Sequence, residues 1–210
     1  MDTGSTSRVQ PTRPRKASFP TNFDPTAAAA TLWAVWFVGW LISASATAKT
    51  VAAPSPSSQL SYRVFTCAGA LLVFFHPRSL TGFLRPLGSS NEWLAWTGVA
   101  FVAIGLGFAG WARFHLGRLW SGRVTLKENH TIVRTGPYAF VRHPIYTGLV
   151  LAVVGTTLTQ ITVAAIAGLV LVLIGFIIKI RQEERLLTDH FGRAYDAYRA
   201  NVAALIPYVW

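Results

Sequence analysis

Apolar residues are gathered along this chain into five runs that polar segments separate. The runs cover about residues 27–47, 62–76, 93–112, 144–157 and 161–180. A helix that crosses a bilayer needs roughly 20 apolar residues, and several of the runs approach that length. The pattern therefore predicts an all-α, polytopic membrane protein with about five transmembrane helices.

The last two runs predict a C-terminal helical hairpin with a tight turn around Thr157–Gln160. Its first helix would be only about 21 Å long, whereas a crossing needs roughly 30 Å. We therefore expect the hairpin to be tilted or partly immersed. Its second helix is expected to continue into the polar sequence that begins at Lys179.

Composition divides the chain into three parts. Residues 1–26 hold Ser, Thr, Pro and basic residues with almost nothing to bury, which predicts a disordered basic tail. Residues 27–112 are predicted to form the N-terminal transmembrane helices, and residues 113–210 a C-terminal region with the hairpin. Three glycines of the third run would allow close contact between helices, namely Gly105, Gly107 and Gly110.

Three tryptophans of the first run, Trp33, Trp36 and Trp40, recur at helical spacing. We interpret them as packing or interfacial residues rather than as ligand contacts.

The net charge of +11 comes from 19 Lys and Arg against 8 Asp and Glu. The basic residues lie in the tails and loops between apolar runs, which is typical of membrane proteins and argues against nucleic-acid binding. Segment 113–143 and the tail after residue 179 are both basic, and a hairpin places them on one side of the membrane. The positive-inside rule makes that side cytosolic, although five spans would then place the basic N-terminal tail outside.

The stretch GPYAFVRHPIYTG, residues 136–148, carries the first candidate chemistry. Proline suits the first position of a helix, so Pro144 is predicted to begin the fourth helix with His143 at its cap. Free N–H groups and the helix dipole there favour an anion such as a carboxylate. The Gly–Pro turn at the start of the stretch would bring Tyr138 and the backbone of residues 130–133 close to that helix start. Alternatively, the motif is only an interfacial helix boundary.

Two adjacent carboxylates, Glu183 and Glu184, follow directly on the last apolar run. Lys179 lies four residues earlier and so shares a helix face with Glu183. One interpretation is an ordinary ion pair. The functional interpretation is that Glu183 receives a ligand ammonium while a nearby base holds a substrate anion. With the helix start at Pro144, these residues would bind both charges of an amino-acid group.

These motifs resemble one family. The chain resembles the isoprenylcysteine carboxyl methyltransferase and phospholipid methyltransferase superfamily in four stretches. They are GPYAFVRHPIYTG, EERLL from residue 183, FGRAYDAY from residue 191 and LGRLW from residue 116. The resemblance covers about residues 113–208. It implies a helical membrane enzyme that uses S-adenosylmethionine in a cytosol-facing pocket open toward lipid.

The resemblance also implies which residues hold the cofactor. They are the segment before GPY, the GPY tyrosine, the HPxY element and the first glutamate of EExxL. In this chain they are His130, Thr131, Ile132, Val133, Tyr138, His143, Pro144, Ile145, Tyr146 and Glu183.

The substrate contacts implied by the resemblance are Lys179 and Arg181. Lys179 stands where the prenylcysteine enzymes carry an arginine, and it keeps the charge but loses the bidentate fork. A carboxylate acceptor needs no proton removal, so we assign no general base, and no metal site is predicted. The expected partners are a lipophilic small molecule or a lipidated substrate, together with membrane lipids.

Two other interpretations remain. Membrane reductases of the sterol and enone type carry a similar Arg-His-x-x-Tyr element and use NADPH. The other interpretation is a membrane partner protein that retains a degenerate pocket, in which replacing Glu183 would leave function intact.

Overall fold

The structure is a computed structural model that describes residues 24–44, 49–75, 87, 91–122, 124–127 and 131–207. Within these residues the chain forms α-helices, two single 3-10 turns and two short strands that pair antiparallel. The helices are α1 Pro25–Ala44, α2 Pro56–Phe74, α3 Glu92–Leu116, α4 Pro144–Thr159, α5 Val163–Phe191 and α6 Arg193–Asn201. The strands are β1 Thr50–Ala52 and β2 Leu126–Lys127.

Three helical segments are long and apolar enough to cross a membrane, namely Pro25–Ser43, Glu92–Leu119 and Val163–Phe191. Helix α4 is apolar but shorter, with 16 residues. The predicted all-α membrane architecture is confirmed, and three of the predicted spans have the length and hydropathy of a crossing. Residues 1–23 of the predicted tail lie outside the described residues, and the division into three parts stays a prediction.

Side-chain caps fix where several helices begin. The Asn91 side chain accepts a hydrogen bond from the backbone N–H of Trp93 at the start of α3 (3.1 Å). The Thr162 hydroxyl does the same for Ala165 at the start of α5 (3.0 Å). At the other end of α5, Gly192 adopts a φ of +52°, which separates α5 from α6.

Close glycine contacts hold the helices in two pairs. A Cβ added at Gly98 of α3 would lie 2.5 Å from the carbonyl oxygen of Gly155 in α4. A Cβ added at Gly69 of α2 would lie 2.6 Å from the carbonyl oxygen of Gly168 in α5. Each pair of backbones is therefore packed at a distance that only glycine permits.

One of the three glycines predicted to serve helix contact does so. Gly105 meets the backbone of Gly148 in α4, whereas Gly107 and Gly110 have no atom within 4 Å of an added Cβ. The prediction was wrong for Gly107 and Gly110, because within the described residues no other helix packs closely against these two positions.

Helix α1 is the least enclosed of the three long apolar helices. It packs on α3 and α4 along one face and exposes large apolar side chains, among them Val35, Phe37 and Ile42, on the other. An apolar face of this kind suits contact with lipid. A cavity lies between this helix and the pairs α3–α4 and α2–α5.

Candidate active site

The start of α4 and the polar end of α5 lie against each other. Pro144 is the first residue of α4 and His143 is its N-cap, as predicted. The Tyr146 hydroxyl donates a hydrogen bond to Glu183 Oε1 (2.7 Å). His143 Nδ1 lies 3.6 Å from Glu183 Oε2. Residues that are about forty positions apart in the sequence thus share one site.

The two adjacent glutamates face different surroundings. Glu183 lines the cavity, whereas Glu184 Oε1 accepts hydrogen bonds from Arg142 Nε (2.8 Å) and Nη2 (2.5 Å). Arg199 Nε lies 3.8 Å from the other oxygen of Glu184. Adjacent helix positions point about 100° apart. Glu184 therefore joins elements of the structure, and Glu183 is the carboxylate that a ligand can reach.

Both ring nitrogens of His143 face carboxylates. Nε2 lies 3.3 Å from Glu184 Oε1, in addition to the contact of Nδ1 with Glu183. Burial lowers the pKa of His143, but hydrogen bonds with Glu183 and Glu184 outweigh that effect and raise the pKa above its ordinary value. Both ring nitrogens of this histidine are therefore held by carboxylates of the site.

The C-terminal segment closes over the start of α4. The backbone N–H of Arg142 donates to the Ala203 carbonyl (2.8 Å), and that of His143 donates to the Ala204 carbonyl (3.0 Å). These two N–H groups are therefore occupied. The donors left for an anion at this helix start are the N–H groups of Ile145 and Tyr146, which have no intrahelical partner in the first turn.

A 3-10 turn, Gly136–Ala139, brings Tyr138 under the site as predicted. Gly136 has a φ of +58°, and an added Cβ would meet the His115 ring at 2.7 Å. The Tyr138 hydroxyl donates to the Ala112 carbonyl (3.4 Å), and its own carbonyl accepts from the Tyr198 hydroxyl (2.6 Å). Burial raises the pKa of Tyr138, so this phenol is neutral.

The cavity has a volume of about 430 Å³ and two chemically different parts. The first part, which we call the polar end, is lined by residues 131–133, Tyr138, His143, Pro144, Ile145, Tyr146, Lys179 and Glu183. The second part, which we call the apolar arm, is lined by Trp33, Trp36, Val73, Phe74, Leu149, Val153, Val172 and Phe176. Between Glu183 and Val172, helix α5 rises by roughly 16 Å. The site thus extends from the end of the hairpin toward the middle of the apolar helices.

The structure brings the predicted cofactor residues together around the polar end. Thr131, Ile132 and Val133 line it, as do Tyr138, the HPIY element and Glu183. His130 lies outside the described residues. The assignment of these residues to a cofactor stays a prediction, which their common position supports.

The two predicted substrate contacts are separated. Lys179 lies where the polar end meets the apolar arm: its Nζ donates to the Gly122 carbonyl (3.0 Å) and lies 5.3 Å from the centre of the Tyr146 ring. Arg181 is exposed and borders a surface hollow beside Glu184 instead. Two residues further along the helix rotate the side chain by about 200°, so Arg181 points away from the cavity.

The tryptophans of α1 pack against other side chains and also line the cavity. The Trp33 indole donates to the Thr156 hydroxyl of α4 (2.9 Å), and Trp36 stacks on Trp40 with centroids 4.4 Å apart. Their helical spacing indicated one common face. Nothing in the local sequence indicated that this face would meet α4 more than one hundred positions away.

The fold and this cavity define a helical integral membrane protein whose polar binding site continues into an apolar arm. Residues 98–189 match the model of the Isoprenylcysteine carboxyl methyltransferase (ICMT) family. Over this region the chain is similar to the isoprenylcysteine carboxyl methyltransferase family, which agrees with the resemblance of its motifs.

Similar proteins include one from a plant and one from a bacterium. Protein-S-isoprenylcysteine O-methyltransferase B of Arabidopsis thaliana is 31% identical over 120 residues, which cover 56% of this chain and 61% of that protein. Nickel-cobalt-cadmium resistance protein NccN of Alcaligenes xylosoxydans xylosoxydans is 32% identical over 115 residues, covering 53% of this chain and 52% of that protein.

The chain thus spans between half and two thirds of the length of these relatives. A solved structure of the eukaryotic intramembrane Ras methyltransferase ICMT is 23% identical. The structural match covers 76% of this chain and 55% of the chain in that structure, with a TM-score of 0.49.

Proposed function

We propose that the protein is an integral membrane methyltransferase that uses S-adenosylmethionine to methylate the carboxylate of a lipophilic, prenylcysteine-like substrate. The observation that carries this proposal is the continuity of the polar end, built on Glu183, Tyr146 and His143, with the apolar arm. The family match supports methyl transfer and gives no support to the NADPH-dependent reductase. The basic character of the helix ends around the site supports a cytosolic orientation.

The residues of the polar end fit this cofactor. Glu183 offers a half-buried carboxylate for the ammonium, and the N–H groups of Ile145 and Tyr146 offer donors for the carboxylate. The volume of about 430 Å³ lies within the range of small-molecule sites. When bound, S-adenosylmethionine would supply an activated methyl group that a carboxylate oxygen accepts as the carbon–sulfur bond breaks.

The protein's own residues bind and orient rather than move protons. A carboxylate acceptor is already deprotonated at neutral pH, so no general base is required. The contacts of His143 with two carboxylates support this role, since they leave it no free nitrogen toward an acceptor. In this proposal Lys179 holds the acceptor carboxylate at the entrance to the apolar arm, which its position in the cavity lining supports. Alignment of the acceptor with the methyl group there contributes most to the rate.

The apolar arm accommodates the hydrocarbon part of the acceptor. Its walls are aromatic and aliphatic, and no Asp, Glu, Lys or Arg is among the described residues that form it. Burying apolar surface there stabilises the complex by about 25 cal/mol per Å². A lipophilic small molecule and a lipidated protein both satisfy this requirement.

Label transfer in membranes tests the proposal. Membranes that contain the protein are incubated with radiolabelled S-adenosylmethionine, and the lipid and protein fractions are treated with mild base. We expect base-labile label, the property of a methyl ester, in wild-type membranes and its loss in Glu183→Gln membranes. Stable label would indicate N-, C- or ether methylation. Saturable NADPH binding without S-adenosylmethionine binding would contradict the proposal.

A further inference from the structure

Tyr195 carries a hydroxyl that lacks a hydrogen-bond partner. The residue lies on α6 and is 2% exposed, and its Oη has no partner within the described part of the chain. Tyr198, three residues later on the same face, donates to the Tyr138 carbonyl instead. A buried hydroxyl without a partner costs about 1–3 kcal/mol, which a phenylalanine would not incur. Packing alone therefore explains the ring of Tyr195 but not its hydroxyl.

The position of Tyr195 indicates what its hydroxyl serves. Tyr195 lines the cavity together with Tyr138, His143 and Glu183. Among the described residues, the buried side-chain atoms without a partner belong to five residues, of which Tyr195 and Thr125 line the cavity. The other three, Arg113, Gln182 and Thr188, do not line it.

The surroundings of Tyr195 make its hydroxyl a donor. Burial, and next the charge of Glu184, raise the pKa of Tyr195 above its ordinary value, so the phenol carries its proton at neutral pH. Glu183 Oε1 accepts from Tyr146 and Glu184 Oε1 accepts from Arg142, and the Tyr195 hydroxyl is hydrogen-bonded to neither carboxylate. An acceptor atom on a bound molecule would complete the hydrogen bonding of this hydroxyl.

We propose that Tyr195 Oη donates a hydrogen bond directly to the bound S-adenosyl cofactor, so that α6 contributes a contact to the site. This inference rests on the proposed methyltransferase function. It adds to the site a residue from the FGRAYDAY segment, which lies beyond the region that matches the family model.

The test compares Tyr195→Phe with Tyr198→Phe in detergent. The thermal midpoint is measured without ligand, and S-adenosylhomocysteine, which cannot be turned over, is titrated by calorimetry. For Tyr195→Phe we expect a midpoint equal to or above that of the wild type and an affinity about fivefold to tenfold weaker. Tyr198→Phe loses a hydrogen bond within the protein, so its midpoint should fall.

Two results would overturn the inference. One is an unchanged affinity of Tyr195→Phe for S-adenosylhomocysteine. The other is a lowered midpoint like that of Tyr198→Phe, since the hydroxyl would then have a partner in the free protein. Failure of the wild type to bind S-adenosylhomocysteine would refute the proposed function itself. If the wild type binds normally, an unchanged affinity or a lowered midpoint of Tyr195→Phe refutes only the role of Tyr195.

Discussion

The polar end and the apolar arm belong to one cavity but are built in different ways. The polar end is formed by side chains with defined partners, such as Tyr146 on Glu183, and most of them come from the two ends of the hairpin. The apolar arm is formed by large side chains of α1, α2, α4 and α5 that are held mainly by packing. In the proposed function, the first part determines the cofactor chemistry and the second determines which acceptor reaches it.

This difference predicts that substitutions at the two ends act on different kinetic quantities. Changes at the polar end should alter cofactor affinity or the rate with every acceptor. Changes in the apolar arm should alter the preference among acceptors while cofactor affinity is kept.

The largest effect is expected for Glu183→Gln. The substitution keeps an acceptor for Tyr146 but removes the negative charge proposed for the ammonium, so affinity for S-adenosylhomocysteine should fall by about tenfold to one hundredfold. Titration calorimetry in detergent measures it.

The matched control is Glu184→Gln, which removes the pair with Arg142. It should lower the thermal midpoint but change the affinity by less than about threefold, because Glu184 does not line the cavity. Equal losses of affinity in the two variants would contradict the separate roles of the two glutamates.

The next effect is expected for Lys179→Gln. Loss of the ammonium removes the proposed contact to the acceptor carboxylate, so kcat/KM for the acceptor should fall by about tenfold or more while cofactor affinity stays within twofold. Steady-state kinetics at saturating cofactor check this. Arg181→Gln, an exposed residue that does not line the cavity, is the control and should match the wild type. The contrary finding is a loss for Arg181→Gln as large as that for Lys179→Gln.

A smaller effect is expected when the apolar arm is lengthened. Trp33 lies at the deep part of the cavity, where it donates to Thr156 and packs edge-on against Phe74 (5.3 Å between ring centroids). Trp33→Ala should shift relative kcat/KM toward acceptors with longer hydrocarbon chains by about tenfold, since each buried CH₂ contributes about 0.8 kcal/mol. Competition between acceptors of graded chain length measures the shift. An unchanged preference would mean that acceptor chains do not reach Trp33.

The smallest effect concerns pH. Because the folded pKa of His143 is raised, the stability that its charge contributes is fully present below the unfolded pKa of about 6.5 and is lost as pH rises through the folded pKa. Thermal midpoints between about pH 6 and pH 9 should fall less steeply for His143→Gln than for the wild type. Parallel profiles would rule out this role.

Much of the polar end could be predicted from the sequence because its residues are neighbours in the chain. The Gly–Pro turn placed Tyr138 beside the helix start, and Pro144 fixed where α4 begins. Helical spacing placed Lys179 and Glu183 on one face. The separation of Glu183 from Glu184 required knowledge of Arg142 and Arg199, which come from two other segments.

The apolar arm could not be predicted in the same way. Its walls depend on contacts between distant helices, such as that of Trp33 with Thr156, and periodicity does not say which helices become neighbours. The closure of the α4 start by the carbonyls of Ala203 and Ala204 was also missed, since backbone acceptors leave no pattern in side-chain identity.

The proposed function requires that a zwitterionic cofactor group lies between the start of α4 and the polar end of α5. An experimental structure with bound S-adenosylhomocysteine would show whether it does. We expect the ligand ammonium within hydrogen-bonding distance of the Glu183 carboxylate and the ligand carboxylate at the N–H groups of Ile145 and Tyr146. A ligand bound elsewhere, or one whose charged groups contact neither Glu183 nor the start of α4, would refute the proposed cofactor site.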